Sequence, residues 1–491
     1  MSSIRPIAPY LRFLVFALIA ALGVSAFAAV ALAGGHTGFP LDDAWIHQTY
    51  ARNWAQTGQL AFVPGQPSAG STAPLWTLLI SAAYRFGFDY FSWTLTLGAA
   101  SLALTGWLIY RLTAQLLPDR PVAAWAAGLA GVLEWHLIWA AASGMETMLF
   151  IALALAVIDR VWAGGRGWMT GVLGGLLILT RPEGVLLLAL AAMVVAARSA
   201  HGGLKELIGL AAAALLTLAP GAGFNLQAGG ALFPNTFYAK QAEYAVLTST
   251  PGLWLGAIGQ MLAAPLAGAG AVLLPGLAAW IVAQRRTLRS RTAWDKWMPL
   301  VWAAGHLGAY ALRLPVHYQH GRYLLPLIPI VVLYGAAGLA MLSARGRGRT
   351  AQLAGRVLGL AAGVVVIAFL PLGASAYAAD TAVIDGEMVA AAQWLHVHTP
   401  SDALVAAHDI GALGYFAGRP LLDMAGLISP EVVPFIRDED RLWAWVQTRG
   451  AQYVIAFPDW YPQLTARPEL SAVFEGRTAA SPSHLTVYAV K

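Results

Sequence analysis

Two adjacent carboxylates, Asp42 and Asp43, open the stretch LDDAWIHQTYARN a few residues beyond the first apolar segment of the chain. Removing a proton from a hydroxyl needs a carboxylate within hydrogen-bond reach, and a second acid beside it can orient that base or hold a cation. A single aspartate ahead of a helix can also do no more than accept orphan backbone N–H groups. One cap needs one aspartate, and here there are two. Other ionisable residues stand at or near the ends of apolar segments: Glu146 in SGMET, Arg181 and Glu183 in TRPEG, Lys240 in PNTFYAK, and Arg313, His317, His320 and Arg322 in RLPVHYQHGRY. Unpaired charge at membrane depth costs about 3 kcal/mol or more, so such groups mark function by default. For Arg181 and Arg322 the plain alternative is a side chain reaching back to the interface, and for Glu146 a simple span-end carboxylate. His317 and His320 flank a Tyr-Gln pair, a weak metal-ligand pattern that polar surface also explains. Glu134 and His136 read as a buried pair rather than ligands. Asp409 and Asp423 follow short strands, where they serve as turn caps or as acceptor-site residues.

Positioning these groups is the task of a membrane protein. Of 491 residues, 58% are hydrophobic and 11% charged, against about one quarter charged in soluble domains, and mean hydropathy is +0.63. The absence of cysteine excludes disulfides, thiolate catalysis and cysteine-bound metal. The net charge of +6 does not point to nucleic acid, because the basic residues sit in short loops between apolar runs, the positive-inside pattern. Those runs lie at 13–33, 93–112, 123–142, 148–161, 169–179, 185–197, 204–224, 253–283, 298–312, 324–342 and 358–374. About eleven spans are expected, given that a crossing takes about 20 helical residues. The run 253–283 is too long for one crossing and reads as an interfacial helix followed by a span. The basic positions Arg5 and Arg12, Arg111 and Arg120, Arg160 and Arg166, Arg198 and Lys205, Arg285 to Lys296, and Arg345 to Arg356 can all be cytoplasmic if PLWTLLISAAYRFGF lies on the outer surface without crossing. The amino terminus is then cytoplasmic, and the first span is a retained anchor rather than a cleaved signal. Residues 376–491 alternate short apolar strands with helical stretches, which predicts a small extracytoplasmic α/β domain.

The ordered set DDAWI, YARN, STAPLW, GMET, TRPEG, PNTFYAK and GRYLLPL resembles the GT-C superfamily of membrane glycosyltransferases, in particular its bacterial arabinofuranosyl- and mannosyltransferase-like branch. The resemblance covers residues 1–375, with a carboxy-terminal outer domain of similar size. It implies a polytopic α-helical protein of GT-C type, with its acidic motif in the first outer loop, 34–92. It also implies an enzyme of the bacterial plasma membrane that moves a sugar, with inversion, from a polyprenyl-phosphate donor to a hydroxyl of a glycan, lipid or protein acceptor. Carried onto this chain, one of Asp42 and Asp43 is the catalytic base, and Arg322 holds the donor phosphate. Arg181 and Lys240 assist by charge-assisted contact with phosphate oxygens. Glu146, Glu183, Tyr238, His320 and Tyr323 line the substrate. Trp45, Tyr50, Tyr238 and Tyr323 are candidates to stack on sugar faces, or belt residues at the interface. Relatives carry an aspartate-containing motif at the position of Glu146, which leaves a divalent cation open. A donor with a long isoprenoid must enter sideways from the bilayer, which predicts a lipid-side groove leading to the acidic loop. Two other readings share the intramembrane charges. A lipid-linked glycan transporter or flippase commonly shows internal repeats, which are not evident here, and a polymer ligase would use the same acidic loop and arginines.

Overall fold

An apolar segment surrounded by hydrocarbon must satisfy its backbone polar groups internally, and all eleven apolar runs are helical. The computed structural model describes residues 9–198, 203–344, 348–479, 481 and 483–491; of the basic positions named above, Arg5, Arg345 and Arg347 lie outside the described residues. Helix α1 (Pro9–Ala33) is followed by two short helices, α2 (Asp42–Thr57) and α3 (Pro74–Phe86), separated by a small hairpin of β1 (Ala61–Val63) and β2 (Gln66–Pro67). Next come α4 (Tyr90–Leu116), then α5 (Pro121–Val132) and α6 (Trp135–Ala142), bent by 47° where the Glu134 carboxylate caps α6. Helices α7 (Thr147–Trp162), α8 (Gly167–Thr180), α9 (Gly184–Arg198) and α10 (Gly203–Gly229) lead to the short α11 (Asn235–Glu243).

The long run expected to hold an interfacial helix and a span consists of α12 (Pro251–Ala263) and α13 (Ala269–Gln284), bent by 94°. After α14 (Trp294–Arg313), a single turn, α15 (Tyr318–Gly321), and α16 (Ile328–Leu342), the chain enters α17 (Arg349–Ile384). Among the described residues, five helices are long and apolar enough to cross a membrane, and seven if each bent pair is one span. Helices α8 and α9, with 14 and 15 residues, are apolar but shorter than a full crossing.

Residue 375, the expected domain division, falls inside α17, which continues through residues 385–389 into α18 (Ala390–His398). One helical rod thus joins the bundle to the carboxy-terminal unit. That unit is a five-stranded mixed sheet in the order β4-β3-β5-β7-β6, built from β3 (Val405–Ala407), β4 (Leu421–Asp423), β5 (Tyr453–Ala456), β6 (Leu470–Glu475) and β7 (Thr486–Val490), with α19 (Glu439–Thr448) and α20 (Pro462–Thr465) beside it. β3 pairs in parallel with β4 and β5, and β7 closes the sheet antiparallel to β5 and β6.

The sheet unit is docked on α2. The helical turns 411–417 present the Gly411 and Ala412 N–H groups to the two Asp42 carboxylate oxygens at 2.7 and 2.8 Å. A Cβ on Gly411 would run into the Asp42 backbone carbonyl, so only glycine allows this approach. Arg52, on the same helix, donates to the Gly414 and Tyr415 carbonyls and stacks on the Tyr415 ring at 4.6 Å. Trp45 packs against Tyr415 and Phe416, and one hydrophobic core runs without interruption from the bundle to Ile410, Leu413 and Val487. Asp42→Ala would leave two buried N–H groups without acceptors, at about 1–3 kcal/mol each. The expected result is a lower Tm and faster proteolysis within residues 399–420; protease resistance equal to wild type would show that Asp42 does not hold the two parts together.

Candidate functional site

Consecutive helical residues point about 100° apart. This separates the two aspartates at the start of α2. Asp42 turns to the sheet unit, while Asp43 turns to a cavity of about 490 Å³ walled by α2, α11 and the ends of α7, α8 and α14. Asp43 Oδ2 accepts from Arg322 Nη2 at 2.5 Å and lies 3.4 Å from Lys240 Nζ. Both cations also reach the Tyr323 hydroxyl, at 3.2 Å each.

Lys240 is placed by α11, whose start is pinned to the loop ahead of α3 that carries Gly70, Ser71 and Thr72 (the GST loop): Asn235 N donates to Ala69 O at 2.9 Å and Thr236 Oγ1 to Gly70 O at 2.6 Å. Arg322 is placed by a strained loop. Gln319 and His320 both have φ of 56°, a region that non-glycine residues occupy at a cost and that concentrates at functional sites.

A second cluster on the same cavity wall joins residues far apart in sequence. Glu146 lies 3.4 Å from Arg181 Nη1 and 3.2 Å from His47 Nε2. Arg181 Nε donates to Glu183 at 2.6 Å and its Nη2 to the Tyr310 hydroxyl at 2.9 Å, while Tyr310 donates back to Glu183. Tyr323 sits between the clusters, with the Arg181 and Arg322 guanidinium groups 5.2 and 5.1 Å from its ring centre. The wall holds four cations, Arg181, Lys240, Arg313 and Arg322, against three carboxylates, Asp43, Glu146 and Glu183. Two nitrogens of Arg322, Nε and Nη1, are buried and make no hydrogen bond among the described residues. Such orphaned buried donors are rare and call for a ligand or another reason.

Of the expected site residues, the cavity thus gathers Asp43, Glu146, Arg181, Glu183, Lys240, Arg322 and Tyr323. Asp42 has both oxygens engaged in docking. It does cap a helical segment, but one 369 residues away rather than its own helix, which begins without a side-chain cap. Tyr238 lies outside the cavity, exposed beside Phe237. His320 also lies outside it, bonded to Asp380 at 2.7 Å between Trp135 and Trp139. Trp45 and Tyr50 are core residues, packed too deeply to meet a sugar. His317 is exposed, Glu134 and His136 form the expected buried pair at 2.9 Å, and Asp423 caps the turn through Ala425 and Ile428.

Sequence reasoning missed His47 and Tyr310. His47 had a usable signal, since it stands four residues after Asp43 and therefore one turn along the same helix face. Tyr310 had none, being one aromatic in an apolar run. The divalent cation left open by the family resemblance finds no fit in these residues. Asp43 is already paired with Arg322 and Lys240, Glu146 with Arg181 and His47, and among the described residues no three His, Asp or Glu side chains converge as metal ligands.

The site's electrostatics separate the two aspartates further. Burial pushes the Asp43 carboxyl up, but Lys240 and Arg322 outweigh it and hold the group well below the usual carboxylate range. For Asp42, burial and then the Asp409 carboxylate push its pKa up to about 8, against the Ala412 and Gly411 N–H groups.

The bundle, its acidic first loop and the docked carboxy-terminal unit make up a fold shared with solved proteins. ArnT from Cupriavidus metallidurans is one solved protein of this fold. In its apo state it shares 15% identity with this chain, with a TM-score of 0.57 over 96% of this chain and 97% of its own. The same protein bound to undecaprenyl phosphate aligns with 16% identity and a TM-score of 0.56 over the same shares. The Archaeoglobus fulgidus oligosaccharyltransferase aligns with 12% identity and a TM-score of 0.61, over 98% of this chain and 74% of its own. Residues 386–488 match a family described as a domain of unknown function, DUF8728. No curated protein matches the chain.

The folded protein holds a proton on Asp42 that the unfolded chain releases near 3.8. The stability tied to this residue is therefore full at acid pH and is lost as pH rises from that value to about 8. Thermal unfolding in detergent between about pH 5 and pH 9 is expected to show Tm falling with pH, and falling less in Asp42→Asn. Equal slopes in the two proteins would remove Asp42 as the source.

Proposed function

We propose that the protein is an inverting glycosyltransferase that moves a sugar from a polyprenyl-phosphate donor to an acceptor hydroxyl on the outer face of a bacterial plasma membrane. In this reading the eleven helical runs cross the membrane with the amino terminus inside and the sheet unit outside. The observation that carries it is Arg322: a buried guanidinium with two unused donor nitrogens, in a cavity with one more cation than carboxylates, in contact with Asp43.

A phosphate oxygen is the anion that a guanidinium fork binds best. The apolar part of the cavity wall, with Val185, Phe233, Phe237 and Leu314, suits the first isoprene units. Phe233 and Phe237 stack at 5.0 Å and are partly exposed at that edge, in keeping with sideways entry from lipid.

At rest Asp43 is a poor base, because Lys240 and Arg322 stabilise its charge. A donor phosphate competes for the same two cations. As they turn to the phosphate, Asp43 loses its stabilising partners and gains basicity where the acceptor hydroxyl approaches. That hydroxyl oxygen then forms a bond to the anomeric carbon, its proton passes to Asp43, and the bond from the anomeric carbon to phosphate oxygen breaks on the opposite face. Polyprenyl phosphate leaves with the bonding electrons, held by Arg322, Lys240 and Arg181. Glu146, Glu183, His47 and Tyr310 keep Arg181 in place.

The test uses full-length protein in proteoliposomes with radiolabelled polyprenyl-phosphate pentoses and hexoses and a panel of glycan, lipid and peptide acceptors. Wild type is expected to release polyprenyl phosphate and label an acceptor with inverted anomeric configuration, with or without chelator. Asp43→Asn should lower kcat by about 10²–10⁴-fold, while Asp42→Asn, once folded, should keep far more activity. Transbilayer movement of lipid-linked sugar without transfer, unaffected by Asp43→Asn, would instead make the protein a transporter.

A further inference from the structure

Asp43 borders two cavities. Besides the basic one, a cavity of about 360 Å³ lies between α17, the strained loop before Arg322 and the sheet unit, and Asp42 and Asp43 are on its wall. Its chemistry is different. The polar groups facing it are mostly hydrogen-bond acceptors: Asp43, Asp409 after β3, Asp459 after β5 and Gln319, with the Ser481 and Ser483 hydroxyls beside them. Among the described residues, no arginine or lysine lines it.

Several of these groups have no partner within the protein. Among the described residues, no hydrogen bond or ion pair engages the Asp409 or Asp459 carboxylate, and Gln319 Oε1 is a buried acceptor with no partner. Gln319 is one of two non-glycine residues with positive φ among the described residues, so the fold holds it in an unfavourable conformation at this wall. Asp459 is exposed and Asp409 half-buried, so both stand open to an incoming donor, while Gln319 Oε1, a buried acceptor left unpaired, implies a donor that arrives from outside. Trp460, half exposed at the rim and braced edge-on by His408, presents an indole to the opening. An indole face, an array of acceptors and a few hydroxyls are the complement of a sugar ring, which has an apolar face and many O–H donors. The same carboxylates repel an anionic ligand, since like charges brought together cost several kcal/mol.

We infer that this second cavity is the acceptor subsite, and that it takes an uncharged or amine-bearing glycan whose hydroxyl reaches Asp43 from the side opposite the donor phosphate. The inference rests on the transferase reading above, and it commits the acceptor to carbohydrate rather than protein. It also gives the docking of the sheet unit a role: the strand ends that carry Asp409, Asp459 and Trp460 form half of the subsite.

The experiment compares wild type with Trp460→Ala, Trp460→Phe and Asp409→Asn in proteoliposomes. Acceptor KM and kcat are measured for a neutral oligosaccharide, its uronic acid analogue and a Ser/Thr peptide, and donor affinity is measured separately. Trp460→Ala is expected to raise the KM for the neutral glycan about tenfold with kcat and donor affinity little changed, and Trp460→Phe to restore most of the loss. Asp409→Asn is expected to narrow the preference for the neutral over the uronic acceptor. Unchanged acceptor KM in all three variants, or transfer to the peptide alone, would overturn the subsite while leaving the transferase standing. Absence of any donor turnover by wild type would overturn both.

Discussion

The arrangement depends on one constraint: a carboxylate buried at the boundary of an apolar bundle needs a cation. Asp43 takes Arg322 and Lys240, Glu146 takes Arg181 and His47, and Glu183 takes Arg181 and Tyr310. Apart from Arg181 and Glu183, two residues apart, each pair joins segments that lie far apart in the chain, so these contacts determine where α2, α11 and the ends of α8 and α14 must meet. Breaking such a pair by removing one partner leaves an uncompensated charge and costs several kcal/mol. The same pairing leaves Arg322 with donors to spare, and the proposed donor phosphate would use them.

Two consecutive aspartates do two different jobs because a helix turns by about 100° per residue. Asp42 faces outward and holds the turn 411–417; Asp43 faces the cations. The cation-bearing elements are tied to the same helix through the GST loop, which pins α11, and the sheet unit is tied to it through Asp42 and Arg52. Residues on α2 therefore couple the bundle, the basic cavity and the carboxy-terminal unit. A displacement of the sheet unit would move Asp409 and Trp460 relative to Asp43, whereas the basic cavity, built mainly from bundle and α11 side chains, would retain most of its wall.

Much of this was legible in the sequence. The apolar runs, the broken segment near 253–283, the α/β character of the tail and seven members of the basic cavity follow from composition, periodicity and the position of charges at span ends. Other placements were not. Tyr238 and His320 stood in the right segments yet point away from the cavity, because a side chain's direction in a loop or short helix is set by neighbours distant in sequence. For His320 that neighbour is Asp380, sixty residues on. Trp45 and Tyr50 had the right chemistry to stack on a sugar, but the docked turn 411–417 and the hairpin close over them.

The sequence by itself determined that this is a helical membrane protein with a mixed α/β carboxy-terminal unit and a set of charges that must be paired, because hydrophobicity and the cost of buried charge act on each segment locally. Only the tertiary structure decided which charge meets which, that Asp42 docks the carboxy-terminal unit while Asp43 meets Arg322 and Lys240, and that a second, acceptor-lined cavity opens on the far side of Asp43. Those outcomes depend on contacts between segments up to 370 residues apart, and no local pattern encodes a distance of that kind.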